Sequence, residues 1–312
     1  MKLALLLLAA IALSLAPFSW QSDQVWNPFM DERLPRTLLL VMTGASLAAA
    51  GAVMQALFQN PLASESVLGI TSGGTLAAVL IFLTNGHLSF PWLIPVGTVL
   101  GCLGTLLFVW SLASSRQSIL LGHLILTGLA VTTLLIAVQG VITYMMRDNW
   151  QIYQILTEME AGTTLNKGWR HFHMQFPLTL VGLSGIFYYR REINLLSLGA
   201  EEAMNLGVDV YKVRFRLFLF VASLTGGALA AIGNVGFFGL MMPHIARKLS
   251  GPNHLTLIPL SAWLGMISLL LLDTLIRHLA IYSLSLGNIC ALFGGLFFLF
   301  LLMNRKMVPA CP

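Results

Sequence analysis

Residues 35–58 read PRTLLLVMTGASLAAAGAVMQALF, a run with a single charged residue. A helix that crosses a bilayer needs about 20 mostly apolar residues, and this run supplies them. Pro35 suits the first turn of such a helix, where the N–H that proline lacks would have no partner. Gly44, Ala48 and Ala52 lie four residues apart and share one face. Small faces let helices approach closely in lipid, so we interpret this face as a packing surface, with the lining of a channel as the alternative.

Apolar runs of this kind recur along all 312 residues. Hydrophobic residues make up 57% of the sequence and charged residues 9%, whereas soluble domains have about 45–50% and about 25%. This composition excludes a soluble enzyme. The runs lie at about 3–20, 35–58, 66–83, 91–113, 119–145, 173–189, 214–232, 237–249, 256–280 and 289–303. The sequence therefore predicts an all-α polytopic membrane protein of about ten transmembrane helices in one domain, residues 1–312. A signal peptide is the alternative for the first run.

The distribution of Lys and Arg predicts the orientation of these helices. With the N-terminus inside, 11 of the 17 Lys and Arg residues fall on the inner side of the membrane. Positive residues favour the cytoplasmic side, so both termini are predicted to be cytoplasmic. The inner loop 190–213 is predicted to form one or two short amphipathic helices on the membrane surface. The outer segment 146–172, which is polar and aromatic, is predicted to be the longest loop.

No catalytic or metal site is predicted from the sequence. It has no Walker A motif, so it does not bind ATP through a P-loop. Its three cysteines are scattered and form no CxxC pair. His171 and His173 form an isolated pair without a third ligand, which we interpret as part of a solvated loop. The net charge of +5 is explained by cytoplasmic Lys and Arg, so no nucleic-acid partner is expected.

Charged residues near the outer side allow two interpretations each. Arg33 and Arg36 lie where the second run enters the membrane, and they either anchor it by snorkelling or form a basic mouth for an acidic partner. Asp273 and Arg277 lie four residues apart, so an ion pair on one helix face would offset the cost of charge at membrane depth. Arg277 is therefore either a structural partner of Asp273 or a residue of the outer vestibule.

Several stretches together resemble the FecCD family of ABC importer permeases, the membrane subunits for uptake of iron–siderophore complexes, haem and cobalamin. The stretches are RLPR at 33–36, GASLAAAGAVMQ at 44–55, NPLA at 60–63, LGAEEAMNLGV at 198–208 and GFFGLMMPHIAR at 236–247. With the ten-helix layout, the resemblance covers nearly the whole chain.

The resemblance implies an importer of two permeases and two ATPases that is fed by a substrate-binding protein. Docking of that protein is expected on Arg33, Arg36 and Arg277, because guanidinium groups pair with carboxylates in a bidentate manner. Gln55, Asn60 and Pro61 match the helix end near the cytoplasmic gate. Coupling to the ATPase is expected on Leu198, Gly199, Ala200, Glu201, Glu202, Ala203, Leu206 and Gly207. The family motif of the last stretch comprises Gly236, Gly239, Pro243, His244 and Arg247.

The same resemblance implies the partners and the cargo. ATP and Mg would bind the ATPase, so this chain is expected to hold no cofactor and to be no enzyme. The expected partners are an ATPase dimer, a periplasmic or lipoprotein binding protein, membrane lipid and a second permease, with a heterodimer favoured over a homodimer. The expected location is a bacterial inner membrane. Iron(III)–siderophore is the commonest cargo of the family and is expected here, with haem or cobalamin as the alternative.

Two other classes of function compete with this interpretation. A secondary transporter working without an ATPase would show more buried carboxylates than Asp273, the only one predicted within a helix core. A membrane-embedded enzyme would need a converging set of His or carboxylate groups. The sequence also departs from the family: Glu65 stands where a proline is usual, Ser285-Leu286-Gly287 replaces a Leu-Pro-x-Gly turn, and Gly295-Leu296 replaces a Gly-Pro.

Overall fold

The computed structural model describes residues 2–15, 29–84, 90, 92–113, 121–147, 149–165, 167–279 and 285–303. Within these ranges the chain forms thirteen α-helices and no strand. They are α1 (Lys2–Leu15), α2 (Leu34–Leu57), α3 (Ile70–Leu83), α4 (Leu93–Ala113), α5 (Leu121–Met145), α6 (Trp150–Ala161), α7 (Trp169–Tyr188), α8 (Arg190–Leu196), α9 (Ala200–Asn205), α10 (Val210–Ile232), α11 (Phe238–Ser250), α12 (His254–His278) and α13 (Leu286–Met303). The predicted all-α class is confirmed.

Each of the ten predicted apolar runs overlaps one α-helix, and the described residues form three further short α-helices. Residues 16–20 of the first run lie outside the described residues. Helices α8 and α9 are the short helices predicted for the loop 190–213, and their place on the inner membrane surface stays a prediction. Helix α6 corrects the prediction for the outer segment, which is not a plain loop. The stretch 150–161 contains neither glycine nor proline, so nothing interrupts a helix there. Gly162, with a φ of 64°, follows its last residue in the left-handed conformation that commonly ends helices.

Five helices of the described part are long and apolar enough to cross a membrane. These spans are α2 with the turn before it, α4, α5, α10 and α12. Helix α11 has 13 residues, which gives a length of about 20 Å against a hydrocarbon core of about 30 Å. It is the short helix that the run at 237–249 predicted. The protein is thus embedded in a membrane, and the number of full crossings stays a prediction.

Helix α2 lies at the centre of the bundle. It contacts α12, α10, α11 and α7, and 83% of its most apolar window is buried. Two of its polar core residues face α7, where Gln175 Nε2 donates to Thr43 Oγ1 at 2.9 Å and Ser46 Oγ lies 3.1 Å from Thr179 Oγ1. Buried polar groups are costly unless they are paired, so these bonds set the register of the two helices.

The small face of α2 is a packing surface, as interpreted from the sequence. A Cβ added at Gly44 would collide with the backbone carbonyl of Gly265 in α12. A Cβ added at Gly51 would collide with the carbonyl of Gly239 in α11. Ala48 is fully buried between these two contacts. Backbones touch at both points, which is the close approach that small residues permit in membranes.

Candidate functional site

Helices α8 and α9 form a short helical pair at one end of the bundle. We call this end the inner end and the end that carries α6 the outer end, following the predicted orientation. Gly199 joins the two helices with a φ of 139°, and Gly207 follows α9 with a φ of 86°. Residues with a side chain rarely adopt such angles. The two glycines therefore determine where α9 begins and where it ends.

Helix α9 presents one exposed face and one buried face. Ala203 is completely buried, and Ala200 is half-buried. Leu198 and Leu206 are 56% and 63% exposed. The carboxylates of Glu201 and Glu202 lie on the same exposed face. The exposed members of the predicted coupling set thus form one apolar and acidic surface, which we call the α9 surface: Leu198, Glu201, Glu202 and Leu206.

The charge next to this surface is fixed by a local ion pair. Lys212 Nζ lies 2.8 Å from Asp209 Oδ2, and the Lys212 backbone N–H donates to the same carboxylate. The hydrogen bond from the Lys212 side chain is the main reason that the pKa of Asp209 lies below its usual value. Asp209 is therefore ionised at neutral pH and caps the first turn of α10.

Two hydrogen bonds tie α8 to the bundle. Gln59 Nε2 donates to the carbonyl of Leu196 at 3.3 Å. The backbone N–H of His254 donates to Asn194 Oδ1 at 3.0 Å. Gln59 follows the end of α2 and His254 begins α12. A displacement of α8 would therefore act on both of the helices that pack most extensively against each other. The sequence analysis did not single out Gln59 or Asn194, because neither belongs to a local motif.

The end of α2 is where the Asn-Pro dipeptide predicts it. Gln59 adopts a left-handed φ of 49°, which is uncommon for a residue with a side chain. Asn60 Oδ1 accepts from the Leu62 backbone N–H at 2.9 Å, and Pro61 lies inside this turn. We call residues 55–65 the α2 end segment.

Gln55 connects the α2 end segment to α11. Its Nε2 donates to the carbonyl of Leu240 at 3.2 Å, and its Oε1 accepts from Arg247 Nη2 at 3.0 Å. Gln55 and Arg247 are 192 residues apart in the chain. The structure therefore brings together two of the predicted residue sets, the helix end of α2 and the family motif of α11.

A buried carboxylate lies beside the same contact. Glu65 is 7% exposed, and its Oε2 has no hydrogen-bond partner among the described residues. A Cβ added at Gly239 would lie 3.0 Å from this oxygen. Asp273 is therefore not the only buried carboxylate, which corrects the sequence interpretation. Glu65 was noted there only as a departure from the family pattern.

The rest of the α11 motif shapes the backbone and packing of that helix. Phe237 follows Gly236 and precedes α11 with a φ of 62°. Pro243 lies inside the helix. His244 is buried, its ring meets Phe297 edge to face with centroids 5.7 Å apart, and neither ring nitrogen has a partner in the described part of the chain.

The three outer arginines differ in accessibility. The Arg36 side chain is 6% exposed and pairs with Glu32 at 2.5 Å. Arg277 is 23% exposed and pairs with Asp273 at 2.9 Å, as the spacing predicts. Arg33 is half-buried. Arg36 is therefore an interior residue and does not line an open vestibule, because its charge is already compensated within the chain.

Asp273 also connects α12 to the segment between α6 and α7. Thr164 Oγ1 donates to Asp273 Oδ1 at 2.7 Å. The carboxylate thus has a cationic partner and a neutral donor, which stabilises a charge at this depth. The structural interpretation of the Asp273–Arg277 pair is confirmed, and Arg277 keeps part of its surface at the outer end.

His171 and His173 lie in the first turns of α7, and His171 is half-buried, which corrects the interpretation of this pair as part of a solvated loop. His173 Nδ1 lies 2.6 Å from the carbonyl of Trp169, one turn earlier in α7. In the part of the chain that the structure describes, no group of three His, Cys, Asp or Glu residues is arranged to hold a metal ion.

Comparison with known proteins gives a match over almost the whole sequence. The FecCD transport family matches residues 3–304. The hemin transport system permease protein HmuU of Yersinia pestis is 36% identical over 295 residues, which cover 91% of this chain and 86% of HmuU. The iron(3+)-hydroxamate import system permease protein FhuG of Bacillus subtilis is 33% identical, covering 88% of this chain and 83% of FhuG. The cobalamin import system permease protein BtuC of Halobacterium salinarum is 35% identical, and the match covers 88% of this chain and 73% of BtuC.

A solved structure also matches almost the whole of this chain. It is an inward-facing conformation of a metal-chelate type ABC transporter, with a TM-score of 0.87 and 28% sequence identity. The match covers 97% of this chain and 98% of the other.

Proposed function

The chain belongs to the FecCD transport family, and from this premise we propose that it is the permease subunit of an ATP-driven importer in a bacterial inner membrane. The family match over residues 3–304 is the observation that carries the proposal. The chain forms the translocation pathway, while ATP and Mg bind a separate ATPase. Both termini are cytoplasmic, and the chain pairs with a second permease, for which a related but different chain is favoured over a second copy.

We propose iron(III)–siderophore as the cargo. Relatives named for iron(3+)-hydroxamate, Fe(3+)-citrate and Fe(3+) dicitrate transport support an iron chelate. Haem is the second candidate, because this chain is 36% identical to the hemin permease HmuU over 295 aligned residues, which cover 91% of this chain. Cobalamin is supported in the same way by BtuC.

We propose that the α9 surface couples this permease to the ATPase. A short rigid helix with exposed leucines and carboxylates fits a cleft on another protein, and the buried Ala203 fixes it to the bundle. Motion of the ATPase would then move α8 and α9 as a unit. The bonds from Gln59 to Leu196 and from His254 to Asn194 would pass this motion to α2 and α12.

The α2 end segment is the proposed cytoplasmic gate. Gln55, Asn60 and Pro61 lie where the chain leaves the central helix, next to the α11 motif. Gly239 and Arg247 hold this end of α2 against α11, through backbone contact and a hydrogen bond respectively. A shift of α11 against α2 would therefore open or close the inner end.

Reconstitution tests this function directly. The permease is co-expressed with its neighbouring genes, solubilised gently and examined by mass spectrometry for co-purifying chains. The purified complex is placed in liposomes with the binding protein and iron-55 siderophore. We expect a stoichiometric ATPase and uptake that depends on ATP. A chain that purifies alone and still moves cargo without ATP would instead support a secondary transporter.

Docking of the binding protein is expected on the outer arginines, chiefly on Arg33. The variant Arg33→Glu should weaken binding about tenfold at low salt and less at high salt, because salt screens exposed charges. Arg36→Glu should instead lower stability, because it would place a second carboxylate beside Glu32. Binding-protein affinity is measured by titration against the complex in nanodiscs at two ionic strengths.

Arg170→Glu is the matched control for this charge reversal. Arg170 is likewise an arginine of the outer side, although it is more exposed than Arg33, and it lies over the ring of Trp92 at 5.1 Å from the centroid. An equal effect of both reversals would show that the net charge of the outer face controls docking. Unchanged, salt-independent affinity of the Arg33→Glu variant would remove Arg33 from the docking surface.

A further inference from the structure

A cleft lined by polar side chains lies between α3, α5 and α6. It has a volume of about 460 Å³. Gln139 of α5 and Glu160 of α6 lie at one part of its wall. Hydroxyl groups line most of the remainder: Ser66, Thr71, Ser72, Thr75 and Thr132. Among the described residues that line it, none is Lys or Arg.

Three of the five hydroxyl groups that line this cleft donate their hydrogen within the chain. Ser72 Oγ donates to the carbonyl of Gly69 at 3.0 Å, and Thr75 Oγ1 donates to that of Thr71 at 2.9 Å. Thr132 Oγ1 donates to the carbonyl of Gly128 at 2.7 Å. A hydroxyl has one hydrogen and two lone pairs, so the oxygens remain as acceptors.

The Gln139 amide and the Glu160 carboxylate also keep oxygen atoms that can accept hydrogen bonds. Gln139 Nε2 donates to Glu160 Oε1. This bond occupies an amide N–H, and it leaves the Gln139 carbonyl oxygen and the second Glu160 oxygen as acceptors. Asn234 also lines the cleft, and its amide can donate as well as accept, as can the second amide hydrogen of Gln139. The cleft therefore offers several acceptor oxygens, two amide groups that can donate, and one negative charge. A ligand that brings N–H, O–H or positive charge fits it, whereas a polyanion does not.

The position of the cleft is difficult to reconcile with contact to lipid. Thr132 lies at the middle of α5, and Gln139 lies seven residues further, about 10 Å toward the outer end. Elsewhere α5 exposes apolar side chains, and Leu129 and Leu134 are 57% and 61% exposed. Polar and ionisable groups at membrane depth are costly in hydrocarbon and usually face water or a protein cavity. The cleft is thus suited to water or a polar ligand.

We propose that this cleft is a cation- and donor-selecting site on the translocation pathway. It accepts cargo complexes that carry ammonium, amide N–H or hydroxyl groups and disfavours polyanionic chelates. The inference rests on the proposed transport function and adds the charge class of the cargo. Glu160 supplies the selectivity for charge, and the hydroxyl oxygens supply weak, replaceable hydrogen bonds.

Thiol labelling tests accessibility and charge preference together. Thr132→Cys is reacted, in vesicles holding the whole complex, with a trimethylammonium-ethyl or a sulfonato-ethyl methanethiosulfonate. Each reagent forms a mixed disulfide with the thiolate and releases methanesulfinate. The ratio of cationic to anionic rates is normalised to a free thiol in solution. For Thr132→Cys we expect this normalised rate ratio to be about ten. In the double variant Thr132→Cys, Glu160→Gln we expect the normalised rate ratio to fall toward one.

The design contains its own controls. Glu160→Gln keeps an oxygen that can accept from Gln139, so the local bond survives while the charge is lost. Thr133→Cys is the neighbouring position outside the cleft, and it should show no charge preference. The wild-type chain, in which Cys102 and Cys290 are buried, gives the background. If Thr132→Cys does not accumulate, Ile136→Cys, which also lines the cleft, replaces it.

Two results would overturn the inference. One is a thiol at these positions that does not react with either reagent. The other is a rate ratio that Glu160→Gln does not change. The proposed transport function is judged separately by ATP-dependent uptake with the wild-type complex, so a failure of one is distinguishable from a failure of the other.

Discussion

Replacing Gly199 with proline is expected to abolish ATP-driven uptake while the chain remains in the membrane. Gly199 has a φ of 139°, and proline fixes φ near −65°. The substitution also removes the N–H that donates to the carbonyl of Leu196 at 3.3 Å. Helix α9 would therefore leave its present orientation, although Ala203 and the core of the bundle are not altered. We expect uptake per ATP hydrolysed to fall more than tenfold.

The measurement compares uptake and ATP hydrolysis in the same proteoliposomes. Gly251→Pro is the matched control, because Gly251 is also a positive-φ glycine, with a φ of 78°, following an inner helix end. Its N–H likewise donates to a helix carbonyl, that of Arg247 at 3.0 Å. If both variants lose uptake per ATP hydrolysed equally, any disruption at the inner end is sufficient to uncouple transport from ATP hydrolysis. Normal coupling in Gly199→Pro would remove the α9 surface from the coupling mechanism.

A smaller change at the same surface tests its charge. Glu201→Lys leaves the backbone intact and reverses one exposed charge of α9. If the ATPase receives this surface through basic groups, the variant should co-purify with less ATPase at low salt and recover at high salt. Lys212→Glu, a reversal next to the surface but within the local pair with Asp209, is the control. An unchanged yield of ATPase from Glu201→Lys would contradict a charged contact.

The sequence was sufficient to predict the apolar helices, because each one is marked by a continuous run of apolar residues. The run at 35–58 is apolar throughout, and Asn60-Pro61 ends it, so α2 needed no tertiary information. Helix α6 was missed because its polar and aromatic residues resemble those of a loop, and its stability comes from its neighbours. The backbone N–H of Asn234 donates to Met159 in α6 at 2.8 Å, a contact that sequence spacing does not show.

The arrangement of the site depends on long-range contacts in the same way. Gln55 and Arg247 each belong to a recognisable stretch, but only the fold shows that they share a hydrogen bond. Arg36 was predicted at an outer vestibule from its place where the second run enters the membrane and from the family resemblance. Its pairing with Glu32 one turn earlier allows it to be buried instead. The hydroxyl cleft was not predicted, because single Ser and Thr residues in apolar helices carry little meaning until three helices bring them together.

The largest effect on stability is expected from Gly51→Leu. The three atoms nearest to a Cβ added at Gly51 are all backbone atoms of Gly239 in α11, so no flexible side chain can move to make room. Overpacking in a core typically costs about 1–3 kcal/mol and sometimes more, and a backbone neighbour places this site at the upper end. The helices α2 and α11 would have to separate, which also breaks the bonds that Gln55 makes to Leu240 and Arg247.

We expect the Gly51→Leu chain to accumulate poorly, or to unfold in detergent about 10 °C below the wild type, since 1 kcal/mol corresponds to about 2–4 °C for a chain of 150–250 residues. Gly104→Leu in α4 is the matched control, because a Cβ there meets nothing within 4 Å. The test is the unfolding temperature of both variants, followed by tryptophan fluorescence and by recovery from size-exclusion chromatography. If both variants unfold at the same temperature as the wild type, α2 and α11 do not need backbone contact. The packing that places the α2 end segment against the α11 motif would then have to arise elsewhere.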